Sequence, residues 1–134
     1  MFILENVGNN VQEYSLSTAY DPSTKSSSTN FSVSDAGAWL QGMEFNSDGT
    51  KMFIVSNDDD AIHEYNLSTG FNISTASYVG IYSVTYTGTL QVSAIAFNSD
   101  GSKMFHADFA QYLIQEYTLS CYSVSYTHLR AHET

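Results

Sequence analysis

Short apolar runs separated by polar turns recur along the chain. Met1-Phe2-Ile3-Leu4, Met52-Phe53-Ile54-Val55 and Met104-Phe105-His106-Ala107 occupy one repeating position, and the continuous apolar run predicts a strand covered on both faces. A polar turn follows each, at Asn6 to Asn10, Asn57 to Asp60 and Asp108 to Gln111. The next segment, Val11-Gln12-Glu13-Tyr14-Ser15-Leu16, returns as Ile62-His63-Glu64-Tyr65-Asn66-Leu67 and Ile114-Gln115-Glu116-Tyr117-Thr118-Leu119. The two-residue period of a strand puts Tyr14 with Leu16, Tyr65 with Leu67, and Tyr117 with Leu119 on one face, and Val11, Ile62 and Ile114 on the other. Apolar residues on both faces predict sheets stacked between neighbours.

One nine-residue stretch anchors the repeat. Phe45-Asn46-Ser47-Asp48-Gly49-Thr50-Lys51-Met52-Phe53 and Phe97-Asn98-Ser99-Asp100-Gly101-Ser102-Lys103-Met104-Phe105 differ only in Thr for Ser, with a period of 52. The glycine supplies the positive φ of a tight hairpin. The small-residue segments Gln41-Gly42-Met43-Glu44-Phe45 and Ser93-Ala94-Ile95-Ala96-Phe97 lead into these turns, where backbones can crowd together. Ser-Thr-rich loops, 17–28 and 68–77, precede a more polar third run, Thr29 to Val33 and Tyr78 to Val84, which suits an outer edge strand. Strands are predicted at roughly 41–46, 51–56, 61–67 and 78–84, then 92–98, 103–108 and 112–119. Four antiparallel strands in about 50 residues make one propeller blade. The expected fold is therefore all-β, an incomplete β-propeller with a partial blade at 1–40, a complete blade at 41–91 and a partial blade at 92–123.

Residues 124–134 break the repeat and resemble a translated transposase-type sequencing adaptor, so His128, Arg130, His132 and Glu133 are set aside from the fold and from every site. Met1 occupies the repeat position of Met52 and Met104, and a fragment of a longer gene is expected. A stack of this few blades is expected to leave apolar faces and strand edges open, and to aggregate or stay partly unfolded when alone.

Charge narrows the function classes. The chain carries 14 acidic against 4 basic residues, a net charge of −10, which argues against nucleic-acid binding through phosphates and against anionic membranes. No apolar run approaches the roughly 20 residues of a membrane span. The single cysteine, Cys121, gives no redox information. No Ser/His/Asp nucleophile context, phosphate-cradling glycine loop or Cys/His cluster is present. Asn30-Phe31-Ser32, Asn66-Leu67-Ser68 and Asn72-Ile73-Ser74 fit the N-glycosylation pattern.

Asp-Gly-Thr-Lys-Met-Phe-Ile-Val (48–55) followed by Ala-Ile-His-Glu-Tyr-Asn-Leu-Ser-Thr (61–69) resembles the blade motif of YVTN-type, lactonase-like β-propeller repeats over nearly all of residues 1–123. The resemblance implies a propeller fold, and the expected function is a non-enzymatic repeat scaffold or binding module of a larger extracellular or surface protein. Its partners would be a protein or glycan ligand and the remaining blades. The alternative it implies is a lactonase-like hydrolase with a metal in the central channel. Glu44, opposite Ala96 in the repeat, would face that channel, where such propellers place metal-binding carboxylates.

Residues that recur in each blade are read as architectural, and those that break the repeat as freer to act. Asp48 and Asp100 recur and are expected to shape the turn, with Lys51 and Lys103 in reach of them. Glu13, Glu64 and Glu116 recur as well. Asp58-Asp59-Asp60 does not: three adjacent carboxylates repel unless water or a hard cation screens them, so Ca²⁺ is the candidate ion, although the closing Glu of an EF-hand is missing. His63 and His106 replace Gln and Ile and are read as structural, lacking a second ligand at a recognisable spacing. Trp39 and the tyrosines are expected to pack between blades.

Overall fold

Each apolar quartet forms a strand whose pairing register repeats along with the sequence. A computed structural model describes residues 1–84, 91–119 and 131–133. The first sheet is β1 (Phe2–Glu5), β2 (Asn10–Leu16) and β3 (Lys25–Ser32), in that order. The second is β4 (Leu40–Phe45), β5 (Lys51–Ser56), β6 (Ala61–Leu67) and β7 (Ala76–Ser83). The third is β8 (Val92–Phe97), β9 (Lys103–Asp108) and β10 (Leu113–Leu119), with β11 (Ala131–Glu133) beside β10. All pairings are antiparallel, and phenylalanine faces glutamate at one register position in all three sheets: Phe2 with Glu13, Phe53 with Glu64, Phe105 with Glu116. The all-β expectation holds, and β4 to β10 start and end within two residues of the expected strands.

One local expectation is corrected. The Ser-Thr loops are shorter than the composition suggests, because 3₁₀ turns at Pro22–Thr24 and Ile73–Thr75 lead straight into β3 and β7. Asp21 and Asn72 make this possible, their side chains accepting from the amides of Ser23 and Ser74 at 3.0 and 3.1 Å. Ala131–Glu133, set aside on sequence, pairs with Tyr117 to Leu119 at the place that β7 holds on β6. Cys121, His128 and Arg130 lie outside the described residues.

The middle sheet is covered on both faces. Met52, Ile54, Tyr65 and Leu67 pack against Val11 of the first sheet, while Phe53, Val55 and Ile62 pack against Val92, Ile95, Met104 and Tyr117 of the third. Equivalent aromatic pairs bridge the sheets, Phe2 with Phe45 at 4.7 Å and Phe53 with Phe97 at 4.8 Å between ring centres. Small residues do let β4 and β8 approach: a Cβ on Gly42 would stand 3.2 Å from the Ser93 carbonyl oxygen. Trp39 departs from expectation. It precedes β4 and is 64% exposed, while Tyr65 and Tyr117 do the packing.

The Asn-Ser-Asp-Gly turn is held by its own side chains. Asn46 Oδ1 accepts from the Lys51 amide at 2.9 Å and Asp48 Oδ1 from the Thr50 amide at 3.0 Å. Asn98 and Asp100 repeat these bonds with Lys103 and Ser102 at 2.9 and 2.8 Å. Gly49 and Gly101 share a left-handed φ of 72° and 70°, but their surroundings differ. A Cβ on Gly49 would meet Phe71 at 2.4 Å, whereas one on Gly101 would meet nothing within 4 Å. Gly101→Ala should therefore cost only the backbone penalty of about 1–2 kcal/mol, and Gly49→Ala at least about twice that. Urea denaturation midpoints of the two variants check the order.

Candidate functional site

Two of the three carboxylates in the aspartate turn have separate partners. Asp58 Oδ2 accepts from the Ala38 amide at 3.2 Å, tying the turn to the segment before β4. Asp59 Oδ2 lies 3.0 Å from Nε2 of buried His63, whose Nδ1 is 3.2 Å from the Tyr78 hydroxyl. A carboxylate only accepts, so the ring's Nε2–H donates to Asp59. Asp60 adopts a left-handed φ of 50°, and burial, together with the charges of Asp108 and Asp59, pushes its carboxyl above the usual range. Among the described residues no three His, Cys, Asp or Glu side chains form a group able to hold a metal. A Ca²⁺ cage needs about 6–8 converging oxygens, which this divergent arrangement does not supply.

Glu44 stands apart from that turn. It pairs with Phe53 across β4 and β5, and Phe53 pairs in turn with Glu64 on β6, so the three side chains form a row on one face of the middle sheet. That face meets Phe97 of β8, and a groove of about 700 Å³ opens where the two hairpin turns come together. Desolvation raises the Glu44 carboxyl above its ordinary range. Glu64 is buried and fully engaged: Lys51 Nζ pairs with Oε1, and the Tyr82 hydroxyl donates to Oε2 at 2.7 Å.

The lysines thus reach the glutamates rather than the aspartates expected from sequence. Lys103 repeats the pairing with Glu116 at 2.6 Å. The reason is strand geometry, since Lys51 and Glu64 are diagonal neighbours on adjacent strands, while Asp48 and Asp100 spend Oδ1 on their own turns. Hydrogen bonds from the Thr50 and Ser102 hydroxyls, and then from their amides, hold both aspartates below the usual carboxylate range. The equal spacing of Lys51–Glu64 and Lys103–Glu116 was a sequence signal for the pair; nothing comparable marks Tyr82.

His106 lies fully buried between the second and third sheets, its ring 5.3 Å from that of Tyr117, and among the described residues neither ring nitrogen has a hydrogen-bond partner. Burial lowers its pKa from 6.5, opposed by Asp108. The unfolded chain therefore protonates this ring first, so the folded state is favoured above pH 6.5 and loses that advantage as the pH falls below it. His106→Ile, the residue found at position 54 of the repeat, should flatten this acid-side loss. Urea melts of both proteins across a pH series measure the difference.

No protein-family model matches the chain, and no curated protein matches it.

Proposed function

We propose that the chain is a non-enzymatic β-propeller repeat scaffold, a binding module within a larger extracellular or surface protein, with its three sheets as successive blades. The observation that carries this reading is the fate of one repeat position. Val11 and Ile62 are 0% and 2% exposed because the next sheet covers each, while Ile114, their counterpart on the third sheet, is 76% exposed. The opposite face behaves the same way: Ile54 and His106 are buried, and Ile3 of the first sheet is 43% exposed. At these two repeat positions the apolar side chains stand in water on the two outermost faces, which fits a stack continued by further blades. The register of Phe with Glu and the recurring bulge that precedes Gly42 and Ala94 support equivalent units. The acidic charge fits a protein or glycan partner better than nucleic acid or a membrane.

The recurrent residues have architectural uses, and this favours a scaffold over a catalyst. Glu44 on β4, the strand that the propeller reading puts at the channel, is the residue that favours the lactonase-like alternative. Turnover of any member of a lactone panel, with Ca²⁺ present, by a chain extended with further repeats would overturn the non-enzymatic part.

The stacking itself has a direct measure. Ile62→Ala should cost about 2–5 kcal/mol in this chain, and Ile114→Ala less than about 0.5 kcal/mol. In a chain carrying one more repeat, the Ile114→Ala cost should rise to match that of Ile62→Ala. Equal costs in the two lengths would refute the proposed stacking.

A further inference from the structure

We infer that the groove between the second and third sheets binds an organic cation, an alkylammonium or guanidinium group on an apolar stem. Its floor is aromatic, made by Phe53 and Phe97 with ring centres 4.8 Å apart. Ring faces attract cations and accept aliphatic carbon equally well. The polar groups are mostly spoken for. Asn46 and Asn98 accept from the amides of Lys51 and Lys103, and Glu64 is saturated by Lys51 and Tyr82. Glu44 is the exception: it makes no hydrogen bond or ion pair among the described residues, yet it lines the groove and is partly desolvated.

A carboxylate placed against aromatic carbon without a partner resists ionisation, and a cation beside it removes that penalty. The fold does not require an acid there. Ala96 holds the equivalent position in the third sheet, so the side chain is free for another purpose. Asp100 adds a second negative charge at the rim, kept ionised by its bonds to Ser102. With Glu44, Glu64 and Asp100 against Lys51 alone, the groove carries a surplus of negative charge on an apolar bed. That combination suits an amphipathic cation better than a neutral sugar, which would leave the charge unanswered.

The inference rests on the binding-module reading, but its failure is separable, because the Ile62 and Ile114 contrast involves no groove ligand. The test is NMR titration of the full chain with butylammonium, methylguanidinium, a short lysine peptide and neutral monosaccharides. Saturable shifts at Glu44, Phe53 and Phe97 are expected with the cations, together with a downward shift of the Glu44 titration. Glu44→Gln and Glu44→Ala should weaken binding about ten-fold, the loss of one charge-assisted contact, with folding checked by circular dichroism. A peptide binding more tightly than the free amines would place the cation on a partner protein; equal affinities would point to a small molecule. Cation binding undiminished by Glu44→Gln, an unmoved Glu44 titration, or preference for the sugars would overturn the inference.

Discussion

The fold depends on the middle sheet being covered on both faces. A solitary antiparallel sheet can turn one face to water and alternate apolar with polar residues. The quartet Met52-Phe53-Ile54-Val55 does not alternate, and all four side chains are buried. Even and odd positions serve two different cores, Met52 and Ile54 toward the first sheet, Phe53 and Val55 toward the third. No single sheet satisfies such a strand, so the sequence of one strand already implies two neighbours.

The sheets are also clasped by polar contacts, and these explain parts of the sequence that hydrophobicity does not. Glu13 Oε2 in the first sheet accepts from the Ile73 amide at 3.1 Å, at the start of the 3₁₀ turn in the second. That amide is one of the donors a helical turn leaves free, and a carboxylate suits it. The repeat places Pro22 at the position of Ile73. Proline has no N–H to offer, so a glutamate on a preceding sheet would find no donor there. Both turns keep the local bond, from Asp21 in the first and Asn72 in the second.

Legibility followed the range of the interaction. Strand positions were readable because stacking writes itself as apolar periodicity, and the hairpin turn because Asn, Asp and Gly each perform a local task within six residues. The lysine partners were misread because sequence proximity favoured Asp48 over Glu64, while the pleat brings the distant residue nearer. The left-handed backbone at Asn9, Asp60 and Tyr112 left no common signature, since three different side chains fill one recurring conformation. For the aspartate run, three adjacent acids suggested a shared ion site, but Asp58 and Asp59 each have their own partner, the Ala38 amide and His63. The groove was only half legible. Glu44 could be singled out as a break in the repeat, but Phe97 reaches it from another sheet, and only tertiary packing joins them.

The recurring glutamate shows how far neighbours, rather than residue type, determine chemistry. Glu64 is buried beneath the third sheet, paired with Lys51 and capped by Tyr82. Glu116 keeps the same lysine contact on an uncovered face and remains about one-third exposed. A surface pair of that kind contributes only about 0–1 kcal/mol, whereas losing Lys51, itself partly exposed, would leave the buried Glu64 carboxylate without its cation. The same two residues are therefore a marginal contact at the edge of the stack and a structural constraint within it. Covering the third sheet would convert the first case into the second.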